Sequence, residues 1–167
     1  MPRPDFFARL GFLIVEEFVD GALLTDLLSE LEAASGRRAE FYQVATGWKV
    51  NEDIRRAKWL EPSPGIRTRL SDRLRRLQPV VEDHFRLTLE AFEEPEFLRY
   101  EAGDYMRLHV DTDANAEGEL GRRKISVIIL FNDPTDDGAP GSYGGGSLAF
   151  GLQMKSIPPS TSTLLFF

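Results

Sequence analysis

Hydrophobic positions along the chain fall into two textures. Leu23, Leu24, Leu27, Leu28 and Leu31 recur at the intervals that lay one apolar stripe along an α-helix. Asp20 stands where it can cap the N-terminus of that helix and Gly36 where it can close it. Residues 11–19, rich in Phe, Ile and Val, predict a strand running into the helix. Helical spacing returns from Ile66 through Leu70, Leu74 and Leu77 to Val81, Phe85 and Leu89, with Pro79 inside the run. Proline has no backbone N–H to donate, so this segment predicts either one kinked helix or two consecutive helices.

After about Pro95 the texture changes to short β-type runs at 97–100, 105–110, 125–131, 147–150 and 162–167. The stretches 112–121 and 132–146 between them are full of Asp, Asn, Gly and Pro and predict long loops at the mouth of the sheets. Helices first and strands after imply an α+β domain whose helices buttress one sheet of a sandwich or jelly roll. At 167 residues one domain with one core is expected, with helical and strand support over 1–94 and a β core over 95–167.

Charge narrows the partners. Lys and Arg number 20 against 27 Asp and Glu, a net charge of −7, so a broad phosphate-binding surface, and with it nucleic acid, is not expected. There is no cysteine, which excludes disulfides, zinc–thiolate sites and thiol nucleophiles. The apolar run at 12–15 is too short for a signal-peptide core and is followed by Glu16 and Glu17. The longest later run, 127–131, falls far short of the ~20 residues that cross a bilayer. A soluble, cytoplasmic protein with no membrane partner is the default.

Chemistry concentrates in 105–111. If these residues form a strand, Tyr105, Arg107, His109 and Asp111 share one face and Met106, Leu108 and Val110 the other. Alternation alone fits an outer strand with its polar face in water. His109 adds a second reading. Residues two apart on a strand are roughly 6.5 Å apart along the backbone, which lets an imidazole nitrogen and a carboxylate oxygen converge on one ion at ~2.0–2.2 Å. A His-x-Asp pair supplies two corners of the two-His-one-carboxylate triad of non-haem iron oxygenases. As a bare tripeptide it is weak.

Its context is less generic. Residues 98–111, with Tyr100, Gly103, His109 and Asp111, resemble the tyrosine, glycine and His-x-Asp pattern of the prolyl-4-hydroxylase-like Fe(II)- and 2-oxoglutarate-dependent dioxygenases. Residues 122–134 are similar to that family's long central strand and exit turn, and 144–148 to its glycine turn and next strand, in the same order and spacing. Residues 11–31 look like its opening strand and helix. The resemblance therefore covers nearly the whole chain, and its specificity lies between Tyr100 and Phe150.

The resemblance implies a double-stranded β-helix, or jelly roll, with His109 and Asp111 as iron ligands, 2-oxoglutarate chelating the metal beside them, and ascorbate as reductant. It implies an oxidoreductase hydroxylating a peptidyl proline, an amino acid or another small substrate. Tyr100 matches a tyrosine near the cosubstrate; its ordinary alternative is a half-buried strand tyrosine satisfied by water. Ser126, Ile128 and Leu130 share the face that would line the cosubstrate pocket. Some relatives carry tyrosine where Leu130 stands, so one polar contact is expected to be absent.

The family pattern continues past the strand matching 161–167 to a second histidine ligand and a basic residue that anchors the far carboxylate of 2-oxoglutarate. Neither is present. The chain is therefore expected to be a fragment lacking the last strands and inactive by itself, with Lys124, on the face of Ser126, as the in-chain candidate for the anchor. His84, the remaining histidine, reads as a helix residue and not as the missing ligand.

Arg67, Arg69, Arg73, Arg75 and Arg76, with Arg55, Arg56 and Lys58, read as a solvated helix face and its neighbouring loop. Trp59 is a candidate for a substrate mouth, and Asp133, Asp136 and Asp137 read as turn residues. The competing reading of the whole is a non-catalytic jelly-roll binding module or pseudoenzyme in which His109 and Asp111 are structural.

Overall fold

The computed structural model describes residues 11–43, 47–90, 92–111, 120–132, 144–151, 155–157 and 163–167. The first strand, β1, is Leu13–Val15, shorter than the sequence predicts because Gly11 and Glu17 take positive φ on either side. Helix α1, Gly21–Ala33, starts where the pattern places it, with the Asp20 carboxylate accepting from Leu23 N–H at 2.9 Å. Gly36 does not close it. The chain turns extended at Ala34, and Gly36 opens β2, Gly36–Arg38. A Cβ at Gly36 would lie 2.9 Å from Lys58 Cβ, so the next strand sits against bare backbone there.

Between the helices lie strands that the pattern does not reveal: β3 Phe41–Gln43, β4 Gly47–Lys49, β5 Arg55–Arg56 and β6 Lys58–Leu60. The second helical run is one helix, α2, Pro64–Phe85, with Ser63 at its N-cap and Pro79 inside. Arg86 ends it in the left-handed conformation, φ 55 and ψ 46. The C-terminal half contributes β7 Phe97–Arg99, β8 Tyr105–Met106, β9 Val127–Leu130, β10 Leu148–Phe150, β11 Lys155–Ile157 and β12 Thr163–Phe166. A 3-10 turn at Leu120–Arg122 falls at the end of the first predicted loop; most of both loops, with Asp133, Asp136 and Asp137, lies outside the described residues.

Among the described residues the strands pair antiparallel in the orders β1-β12-β9, β2-β6-β7, β3-β4, β5-β8 and β10-β11, without a closed barrel. The architecture is thus mixed α and β. One core joins both three-stranded sheets to the helices. Leu13, Val15, Ile129, Leu164 and Phe166 meet Leu23, Leu27, Ile66, Leu70 and Val81, with Leu60 and Phe97 closing the far side. Leu164 and Leu27 are wholly buried, each contributing about 1.5–3 kcal/mol by removal from water. On the opposite face of β12 Leu165 is buried too, and Phe12, Phe150 and Phe167 stack edge to face beside it.

The arginines of α2 do more than face water. Arg69 reaches Asp26 of α1 at 2.7 Å, and Arg73 donates to the Phe18 carbonyl at 3.0 Å and pairs with Asp20, so they tie α2 to the start of α1. Among the described residues no helix is long and apolar enough to cross a membrane.

Candidate metal centre

The segment that carries His109 and Asp111 is set by a tight turn. Asp104 N–H donates to the Glu101 carbonyl, its carboxylate accepts from Glu101 N–H, both at 2.9 Å, and Gly103 supplies the φ of +84 that the turn requires. The chain then pairs as β8 with β5, Arg55 opposite Met106 and Arg56 opposite Tyr105. One further contact, Arg107 N–H to the Ile54 carbonyl at 2.9 Å, ends the pairing.

Beyond it the chain leaves strand geometry, which corrects the predicted strand over 105–110. Leu108 is 71% and Val110 80% exposed, so they do not pack against the helical layer as strict alternation demands. Alternation requires a partner strand, and in this antiparallel ladder β5 begins only at Arg55, opposite Met106.

His109 and Asp111 nevertheless come together. Nδ1 of His109 donates to the Arg107 carbonyl at 2.9 Å, and Nε2 lies 2.8 Å from Asp111 Oδ1. Both side chains are about one-third exposed, 32% and 34%. The Phe41 ring stands edge-on to the imidazole, centroids 6.2 Å apart. The hydrogen bond to Asp111 raises the His109 pKa, assisted by the Arg107 carbonyl and opposed by burial and by the positive charge of Arg55. The same bond lowers that of Asp111, with the Ser126 hydroxyl helping and burial opposing.

The donors fit an ion. Two ligands at ~2.0–2.2 Å and right angles on an octahedral metal stand about 2.8–3.1 Å apart, which matches Nε2 and Oδ1 at 2.8 Å. With Nδ1–H held by a backbone carbonyl, the tautomer that leaves Nε2 as a lone-pair donor is selected. Among the described residues no group of three or more His, Asp or Glu converges, so the pair is the whole donor set they provide. His84 stays in the last turn of α2, its ring 4.7 Å from that of Phe85.

Asp111 is also fixed from β9. Ser126 bonds its carboxylate, and Ser126 itself exchanges both backbone hydrogen bonds with Phe167, at 2.9 and 3.1 Å, which prolongs the β9–β12 ladder. Ile128 and Leu130 follow on the Ser126 face of β9, half-buried. Lys124, before the strand, is exposed. Tyr100 is 46% exposed, one residue past the end of β7. Trp59 lies under the Arg37 guanidinium, 4.1 Å from its ring, donates Nε1–H to Glu96 and tilts toward Trp48.

Three contributors are not apparent from sequence: Phe41, Arg123 and Arg55. Arg123 joins Glu93 to the Asp111 backbone. Arg55 donates Nη1–H to the Glu40 carbonyl at 3.1 Å while its Nε is buried without an acceptor. Both arginines sit in runs of basic residues where only burial distinguishes them from surface charge. No protein-family model matches the chain, and no curated protein matches it.

Proposed function

We propose that this chain belongs to the Fe(II)- and 2-oxoglutarate-dependent dioxygenases of the prolyl-4-hydroxylase-like group, built on a double-stranded β-helix, with His109 and Asp111 as two protein ligands of the metal. The observation that carries the reading is the 2.8 Å approach of Nε2 to Oδ1 with Nδ1 already committed to the Arg107 carbonyl. The order and spacing of the motifs between Tyr100 and Phe150 support it independently. When bound, iron with 2-oxoglutarate supplies oxidative decarboxylation coupled to hydroxylation of a C–H bond. The chain's own contribution is to present the two donors, to hold Asp111 through Ser126 and Arg123, and to set Phe41 as an apolar wall beside them.

Co(II) titration, followed through the visible absorption of the bound ion, tests the reading. The chain should bind one ion, and His109→Ala and Asp111→Ala should each abolish saturable binding while leaving the melting curve of the metal-free protein in place. Unchanged Co(II) affinity in both variants overturns it. The same result would favour the competing binding-module reading, which the direct hydrogen bond between His109 and Asp111 supports.

A further inference from the structure

The basic residues around the candidate centre differ in their partners. Arg37 pairs with Glu40 at 3.8 Å, Arg38 with Glu52 at 3.0 Å and Lys58 with Glu101 at 2.6 Å, while Arg56 lies over the Tyr105 ring. Arg55 has no carboxylate partner among the described residues, although it is half-buried. A guanidinium carries five N–H donors in a rigid fork, and a charge kept from water is stable only when it is paired or hydrogen-bonded. Arg55 uses Nη1 on the Glu40 carbonyl and leaves buried Nε open.

Its position gives that open donor a use. Glu40, whose carbonyl holds Nη1, directly precedes Phe41, whose ring meets the His109 imidazole. Arg55 is also paired across the ladder with Met106, three residues before His109. Arg55, the aromatic wall and the donor pair are therefore neighbours, close enough for the Arg55 charge to act on the His109 imidazole. Lys124, the sequence candidate for an anion anchor, is exposed and offers no buried donor.

We infer that Arg55 binds a carboxylate at this centre, and that the ligand is a small carboxylic acid whose body lies against Phe41 and whose carboxylate closes on the Arg55 fork. The choice of acids rests on the dioxygenase reading: the carboxylate belongs either to the 2-oxoacid cosubstrate or to an amino-acid substrate. A fork is suited to the task because it meets both carboxylate oxygens at once, which a lysine cannot do.

The test follows the Arg55 Nε–H resonance by NMR in the full 167-residue chain, titrated separately with 2-oxoglutarate and with L-proline, with and without Zn(II). A saturable shift with 2-oxoglutarate alone identifies the cosubstrate, and with L-proline alone the substrate carboxylate. Arg55→Met should weaken the effective acid roughly 10- to 100-fold, the loss expected for a charge-assisted hydrogen bond, with Arg55→Lys between the two. The wild-type resonance keeps the test decisive even if a variant misfolds. Silence of Nε–H toward both acids, or undiminished binding by Arg55→Met, overturns the inference. If Zn(II) binds through His109 while Arg55 stays silent, this inference fails alone. If Arg55 responds but His109→Ala leaves Zn(II) binding unchanged, the metal reading fails and the carboxylate site stands.

Discussion

Arg123 grips Glu93 through Nε, 2.6 Å from Oε1, and turns Nη1 onto the backbone carbonyl of Asp111 at 3.2 Å. With the Ser126 hydroxyl on the carboxylate, Asp111 is held at both ends. Loss of such supporting contacts costs a metal site roughly 10- to 100-fold in affinity. Ser126→Ala and Arg123→Ala should each weaken Co(II) binding by that order, and Ser126→Thr, which keeps the hydroxyl, should restore it. Equal Co(II) affinity across the series would show that Asp111 is positioned without them.

The exposed pair Leu108 and Val110 separates the observed path of 107–111 from a regular strand. Side chains this exposed contribute little, so Leu108→Ser and Val110→Ser should leave urea stability within about 0.5 kcal/mol of wild type. A loss several times larger in both would return them to the core and reinstate strict alternation.

Leu164 makes the opposite case. It is wholly buried in the central strand of β1-β12-β9, between Val15 and Ile129. Leu164→Ala should cost about 2–5 kcal/mol, from lost burial together with the cavity left behind. Chemical denaturation at constant slope measures it, and a cost under about 1 kcal/mol would mean that the sheet is not the centre of the core.

Glu82 carries a pH dependence. Its carboxylate accepts from Leu89 N–H at 2.8 Å and from the Gln78 amide at 3.2 Å, and these bonds, the backbone one foremost, lower its pKa. A lowered folded pKa means stability that is full above the unfolded value of about 4.3 and lost as pH falls through the folded one. Wild type should therefore exceed Glu82→Gln in melting temperature at neutral pH, and the difference should shrink as the solution is acidified below that value. A constant difference from pH 7 to 3 would refute the assignment.

Arg86 closes α2 in the left-handed region, where a side chain is disfavoured and glycine is not. Its bond to Asp83 joins two side chains that are 81% and 75% exposed and weighs little. Arg86→Gly should stabilise the protein by up to about 1 kcal/mol, read as a higher denaturation midpoint, whereas a lower midpoint would show that the side chain matters more than the backbone.

What was legible in the sequence was what local rules decide. Asp20 and the leucine spacing mark α1 because a cap and an apolar stripe need no distant partner. Pro79 left one or two helices open, and packing of Leu77 and Val81 on the common core keeps α2 whole. The strands between Gly36 and Leu60 were illegible because they are two or three residues long and rich in Gly, Arg and Lys, so that pairing and not propensity makes them. The His-x-Asp pair stands out in the sequence through the motifs around it more than through its own spacing, but the path of its backbone depends on where β5 begins. Arg55 looked like one more surface charge, since burial of a single nitrogen leaves no mark in sequence.

The pairing of Leu13–Val15 with Leu164–Phe166 sets an order of events during synthesis. β12 is the strand that joins β1 to β9, so the earliest described strand to leave the ribosome waits for the latest before it acquires a neighbour. Until then, among the described residues, the apolar stripes of α1 and α2 have each other and the β2-β6-β7 ladder to cover them. Contacts so distant along the chain form slowly, and the growing polypeptide spends that interval with hydrophobic surface open to chaperones.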